Sequence, residues 1–274
     1  MSSLCVFVFL ILICTTRAVP IVNGFSKPTE PELGVFPFQA SLMQMLKDNK
    51  TYHSFCGGSL IHPMWVLTAA HCIQIDAREA AIKPSQVFVA LGSVLRSAEG
   101  AQILRVRLLR IHPNYLTNDK NDIGVVKLRS AAKLSKTVNL VRLHINNSDD
   151  MLGKTAYLTG FGIIDDLYNT PEKLRKATLH ISTYDKCFND KEDHHLEICA
   201  ASTIKEGKAC KGDSGGPLTI LDNNKYIQIG VTSHLAILPL CRISFNHSVY
   251  TRVSAFIAWI TKTTGINFTT YNRQ

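Results

Sequence analysis

Three short segments of the chain bring together residue types suited to nucleophilic catalysis: Leu67-Thr-Ala-Ala-His71-Cys72, Asn121-Asp122-Ile-Gly-Val-Val-Lys-Leu128 and Cys210-Lys-Gly-Asp-Ser214-Gly-Gly-Pro217. A serine hydroxyl is a weak nucleophile at neutral pH and needs a base within hydrogen-bond reach. Histidine titrates in the useful range. The imidazole in turn needs a carboxylate that fixes its tautomer and stabilises the imidazolium. Ser214, His71 and Asp122 supply these three groups if the fold gathers them. The glycines flanking Ser214 allow a tight turn that points successive backbone N–H groups into one hole, where they stabilise an oxyanion. Singly, Asp122 reads as a turn or capping residue and His71 as an ordinary surface or core histidine. The weight lies in the three segments together.

Other chemistries are poorly served. The 274 residues carry a formal charge of +9, with no run of five or more cations, so no dedicated nucleic-acid surface is expected. Residues 4–14 form an apolar run too short to span a bilayer and suited to the core of a signal peptide. Thr16 and Ala18 supply the small residues for cleavage after position 18. No later stretch has the length of a membrane helix. A secreted, extracellular chain is therefore expected, without a membrane partner. Six cysteines remain after position 18: Cys56, Cys72, Cys187, Cys199, Cys210 and Cys241. An even set in an exported chain reads as three disulfides, and six cysteines allow 15 pairings. No Cys-x-x-Cys pair supports a zinc site. Asn49, Asn146, Asn246 and Asn267 begin Asn-x-Ser/Thr sequons, candidates for glycosylation.

The elements that must position these residues read as short strands. Apolar runs at 38–42, 59–61, 65–69, 87–91, 103–111, 124–128, 156–159, 218–221, 226–231 and 248–253 are separated by Gly, Pro, Asn and Asp. One helical pattern closes the chain, with Val253, Phe256, Ile257 and Ile260 at i, i+3, i+4, i+7 and Gly265 as a stop. The polar stretch 129–137 suits a linker between halves. With 46% hydrophobic and 19% charged residues the chain is globular and, on this pattern, all-β.

With these segments in this order, the chain resembles the chymotrypsin/trypsin family of serine peptidases, from Ile21-Val-Asn-Gly24 to the final helix. The likeness is closest to insect chymotrypsin-like and collagen-degrading members. It implies a trypsin-like fold: two six-stranded antiparallel β-barrels with the triad in the cleft between them and a C-terminal α-helix. Residues 1–18 would be the signal, 19–20 a short propeptide and 21–274 the peptidase domain, divided near residue 130. By resemblance, Gly212 and Ser214 donate the oxyanion-hole N–H groups, and Ser233 bonds the triad aspartate. The pairs Cys56–Cys72, Cys187–Cys199 and Cys210–Cys241 match the three-bridge set of invertebrate members. No metal or other cofactor is expected, since Ser93 stands where a calcium loop would place a carboxylate. Implied partners are protein or peptide substrates and protein inhibitors, with the chain a monomer. An α/β-hydrolase fails on the order of its triad. A catalytically weak homologue acting as a secreted binding or adaptor protein is the alternative, disfavoured because all three triad residues and Gly212 are present.

Two features depart from the trypsin pattern. The family pairs a newly freed N-terminal isoleucine amine with the aspartate before the serine, here Ile21 with Asp213. Val19-Pro20 precedes Ile21 in place of the usual basic residue, so removal of a dipeptide is expected. The specificity pocket maps onto Lys208, Ala209, Lys211, His234, Leu235 and Ser248. None is acidic, so cleavage after Arg or Lys is disfavoured and a neutral P1 side chain is preferred; Lys208 leaves an acidic P1 as the alternative. His234, where many relatives carry tryptophan, is expected to line the cleft.

Overall fold

The computed structural model describes residues 28–46, 51–74, 82–115, 120–165, 167–187, 195–202, 209–235 and 247–271. Six strands, β1 (Gln39–Met45), β2 (Tyr52–His62), β3 (Trp65–Thr68), β4 (Phe88–Leu91), β5 (Gln102–Ile111) and β6 (Gly124–Leu128), close a barrel in the order β1-β2-β3-β6-β5-β4. Its pairings are all antiparallel. A two-residue strand, β7 (Arg142–Leu143), follows. Then come β8 (Thr155–Gly160), β9 (Arg175–Ser182), β10 (Glu197–Ala201), β11 (Pro217–Asp222), β12 (Lys225–Leu235) and β13 (His247–Arg252). These six run β11-β8-β9-β10-β13-β12, and the β11–β12 pairing closes them into a second antiparallel barrel. The β7 strand adds to β12 in parallel. The two six-stranded barrels and a short C-terminal helix make the trypsin-like fold expected from the sequence.

The interiors explain the strands. In the first barrel, Leu42, Leu60, Leu67, Val89, Val125 and Leu128 are fully covered. In the second, Ala156, Leu179, Leu218, Ile229 and Tyr250 fill the same role. Burying each large aliphatic side chain contributes about 1.5–3 kcal/mol. Most apolar runs named above lie on observed strands. The β9 and β10 strands and β7 fall outside them. In β9 only Ala177, Leu179 and Ile181 are buried, so its signal is a period of two among polar residues and not a run.

The chain's last segment ties the halves together. A 3₁₀ turn at Val253–Phe256 leads into α1 (Ile257–Thr264), which ends at Gly265 with φ +77°, the left-handed stop that glycine makes easily. A second short helix, α2 (Phe268–Tyr271), follows. Val253, Phe256, Ile257, Ile260 and Phe268 leave the second barrel and pack into the core of the first. Half-buried Trp259 packs at that core's edge beside the His112 ring. Buried polar bridges span the junction: Ser59 Oγ donates to Gln228 Oε1 at 2.6 Å and Thr159 Oγ1 to Gln39 Oε1 at 2.6 Å. Satisfied buried polar contacts of this kind fix one relative placement of the barrels, which the cleft requires.

Candidate active site

His71 sits just past β3, on a single helical turn in which Gln74 N donates to Ala70 O at 2.9 Å. The Cys56–Cys72 disulfide ties that turn to β2. Asp122 arrives from the other side, immediately before β6. Asn121 adopts φ +56°, a conformation asparagine tolerates better than most residues, and its side chain donates to Asn114 O. The resulting turn sends the Asp122 side chain inward, where it is 0% exposed. Gly124 starts β6 so close to this turn that a Cβ there would press on Ile73.

The two side chains meet. His71 Nδ1–H donates to Asp122 Oδ2 at 2.7 Å, and His71 N donates to Asp122 Oδ1 at 2.9 Å. Ser233 Oγ donates to Asp122 Oδ2 at 2.6 Å. Thr251 Oγ1 donates to the Asp122 carbonyl at 2.7 Å. Burial pushes the Asp122 carboxyl up, but the bond and charge of His71, the Ser233 hydroxyl and the His71 amide outweigh it. The group lies below the ordinary carboxylate value. An ionised carboxylate accepting from Nδ1 leaves Nε2 as the basic nitrogen of neutral His71.

Ser214 lies on the loop before β11. The loop bends at Gly212 (φ +101°) and Gly215 (φ +76°), both left-handed, where glycine alone is unstrained. Gly57 N donates to Ser214 O at 2.7 Å, docking the loop on β2 beside the disulfide that holds the His71 turn. Gly215 packs against Thr68, Gly57 and the Ala69 amide, so closely that no side chain fits. Ser214 is half-buried and makes no side-chain hydrogen bond among the described residues. Catalytic bonds to a serine are often long before substrate is held. Asp213 N donates to Cys210 O, Gly215 N to Thr232 O and Gly216 N to Asp213 O. The Gly212 and Ser214 amides, by contrast, have no protein acceptor among the described residues.

Asp213 occupies a slot of its own. Its oxygens accept from Gly162 N at 2.8 Å and Cys210 N at 2.9 Å. A Cβ on Gly160 or Gly162 would overlap the carboxylate. Burial pushes this carboxyl up to about 6, only partly offset by the two amides. Gly160-Phe-Gly162 escaped the sequence reading; paired glycines at a strand end are the mark of a close approach.

The remaining expected residues divide. Ala209 and Cys210 are buried next to the slot. Ser248 and Tyr250 on β13 are fully buried, and the Ser248 hydroxyl lies beside that of Tyr250. Lys211 is exposed, its ammonium 6.0 Å from the centre of the Tyr168 ring. His234 is half-buried on β12, with Nδ1 3.2 Å from Ser233 Oγ. Cys187–Cys199 forms a disulfide, and Cys210 is disulfide-bonded. Its expected partner Cys241, together with Ile21, Lys208, Asn49, Asn246 and the Leu235 side chain, lies outside the described residues. Asn146 and Asn267 are exposed. Ser93 Oγ donates to Glu99 O at 2.8 Å.

Two barrels, a buried aspartate bonded to a half-buried histidine at their junction and a serine on a glycine-bent loop define a peptidase of the serine class. Residues 24–260 match the trypsin family, and the chain belongs to that family. It is similar to chymotrypsin-like elastase family member 3A of Homo sapiens, 35% identical over 83% of this chain and 84% of that protein. Chymotrypsin-like elastase family member 1 of Canis lupus familiaris is 32% identical over 90% of this chain and 95% of the relative. Clotting factor C of Tachypleus tridentatus is 27% identical over 88% of this chain, which spans only 26% of that larger protein. The chain is thus a serine endopeptidase.

Proposed function

We propose that the chain hydrolyses peptide bonds through an acyl-enzyme built on Ser214, with His71 as base and Asp122 as its orienting carboxylate. The observation that carries this is the 2.7 Å contact of His71 Nδ1 with a carboxylate already held by Ser233 and the His71 amide. Ser214 Oγ attacks the scissile carbonyl carbon while its proton passes to His71 Nε2. The carbonyl oxygen becomes an oxyanion, received by the Gly212 and Ser214 N–H groups. The C–N bond then breaks as His71 returns the proton to the leaving amine. Water repeats the sequence in reverse roles and frees the acid. A fluorophosphonate probe tests this directly. Labelling of Ser214 is expected in the native chain and lost in His71→Ala, whereas an unreactive native chain would mark an adaptor.

The substrate pocket is assigned to the region of Ala209, Ser248 and Tyr250, with Lys208, Lys211, His234 and Leu235 around it. Two buried hydroxyls and the lack of an acidic side chain among these seven residues favour a neutral P1 side chain. Asp213 is the nearby exception, and both its oxygens are engaged by amides. Matched peptides with Ala, Leu, Phe, Glu and Arg at P1 decide the order, and fastest cleavage after Arg would overturn it. We further infer export after residue 18, loss of Val19-Pro20 and pairing of the Ile21 amine with Asp213. The raised Asp213 carboxyl supports this, because a cation at its oxygens would relieve the cost of burial. N-terminal sequencing of the native enzyme would read Ile21. Glycans on the exposed Asn146 and Asn267, and a monomer met by protein inhibitors, complete the proposal.

A further inference from the structure

The strand carrying Ser233 contains an irregularity with a chemical consequence. On a regular strand, neighbouring side chains point to opposite faces. Along the β12–β13 pairing, Thr232 lies opposite Tyr250, yet His234 lies opposite Val249, so Ser233 is the extra residue of a β-bulge. Bulges next to active sites re-aim side chains. Here the result is that Ser233 and His234, adjacent in sequence, bring Oγ and Nδ1 to 3.2 Å.

Proton counting fixes the direction of that contact. Ser233 has one hydroxyl proton. Asp122 accepts from His71 and is held in its ionised form, so it has no proton to give. The 2.6 Å contact between Ser233 Oγ and Asp122 Oδ2 therefore uses the serine's proton. Toward His234, Ser233 Oγ can only accept, and His234 Nδ1 must carry hydrogen. We propose that His234 is a positioning residue: its Nδ1–H donates to Ser233 Oγ, which commits the serine's single proton to Asp122 and holds that carboxylate for His71. The four side chains then form one directed chain, in which two imidazoles donate through Nδ1 from opposite ends toward a single carboxylate. The proposal rests on the peptidase reading of His71, Asp122 and Ser214.

Three variants of the mature full chain separate this role from wall-lining or bulk. His234→Asn places an amide near the Nδ1 position and keeps a donor to Ser233. His234→Gln places its amide nearer the Nε2 position, and His234→Phe keeps the ring without any donor. Rates are normalised to the fraction of Ser214 titrated by a fluorophosphonate, so misfolded protein drops out. We expect kcat to fall about tenfold in His234→Phe and His234→Gln, as for loss of one hydrogen bond of ordinary strength, with KM within about threefold. His234→Asn should stay within about threefold in kcat. In a Ser233→Ala background, His234→Phe should add almost nothing, because the route from His234 to Asp122 is already cut. A change confined to KM, equal losses in Asn and Phe, or additive losses with Ser233→Ala would each overturn the proposal. Failure of the native chain to label would instead overturn the peptidase reading, so the two failures are distinguishable.

Discussion

Asp122 and Asp213 are both buried aspartates within reach of the same cleft, yet burial has opposite outcomes for them. Asp122 gathers a ring N–H, a hydroxyl and a backbone amide, and its carboxyl sits below the ordinary value. Asp213 gathers two backbone amides and is pushed up to about 6. Depth does not distinguish them; the donors do. A carboxylate facing an imidazole that can become a cation is stabilised as the ion, while two neutral amides do not repay the desolvation of a full charge. The first arrangement suits a group that must stay ionised throughout turnover. The second suits a group whose charge state depends on the arrival of another partner.

The strongest way to break the comparison is Asp122→Asn. The amide preserves shape and removes the charge, and it can present N–H toward His71. His71 then loses the acceptor that fixes Nδ1–H, and its proton moves to Nε2, where the base is needed. A loss of about 10⁴-fold in kcat is expected, the usual cost of holding the base of a serine triad in the wrong tautomer. Steady-state kinetics on the best P1 peptide would measure it; a loss under tenfold would mean that Asp122 does not orient the base.

The second test uses pH. The folded Asp213 carboxyl titrates near 6, against an ordinary value of 3.8. The native state therefore holds its proton where the unfolded chain has lost it. Its contribution to stability is complete below about 3.8 and is lost as pH rises through 6. The shift corresponds to about 3 kcal/mol. In urea denaturation on an inert Ser214→Ala background, a chain retaining Val19-Pro20 should carry this loss between pH 4 and pH 7, superposed on the opposite slope of His62, His112, His144 and His247, which burial holds below the ordinary imidazole value. A chain beginning at Ile21 should lose much less if its amine meets the carboxylate. Asp122 has the opposite sign, its stabilisation being lost only as pH falls below the ordinary carboxylate range, so it adds nothing in this window. Identical pH slopes in the two chains would remove Ile21 as the partner.

Much of this was legible in the sequence, and what was not has identifiable causes. The segments around His71, Asp122 and Ser214 could be read because each needs a fixed local run of residues. Gly265 could be read because a helix stop is local. The half-buried β9 was hidden because its apolar residues alternate with Lys176, Thr178 and His180. The bulge at Ser233 depends on register with β13, which begins 14 residues later at His247, and no local pattern announces it. The Asp213 slot depends on Gly160 and Gly162, about 50 residues away, so the aspartate's environment was invisible from its own motif.

The smallest expected effect, and the sharpest on the Asp213 side, is Gly162→Ala. Gly162 N donates to Asp213 Oδ1, and its α-carbon also abuts Gly212. A methyl at residue 162 would occupy the space of the carboxylate oxygens. The backbone at Gly162 is not left-handed, so the cost is one of space and not of conformation. Overpacking of this kind costs about 1–3 kcal/mol. The carboxylate must swing aside, and the Gly212 turn, which Asp213 anchors through Cys210 N, must shift with it. The oxyanion donors remain present but misplaced, so kcat should fall by up to about 10²-fold, less than for Asp122→Asn. Gly100→Ala is the control. That glycine is left-handed at φ +74° with nothing near its Cβ position, so it tests backbone strain without crowding. It should lower stability by about 1 kcal/mol and leave kcat unchanged. Thermal melts and kinetics on the two variants separate the effects. If Gly162→Ala kept full kcat, the position of the Asp213 carboxylate would not govern the Gly212 turn, and the two aspartates would differ in charge state without differing in catalytic consequence.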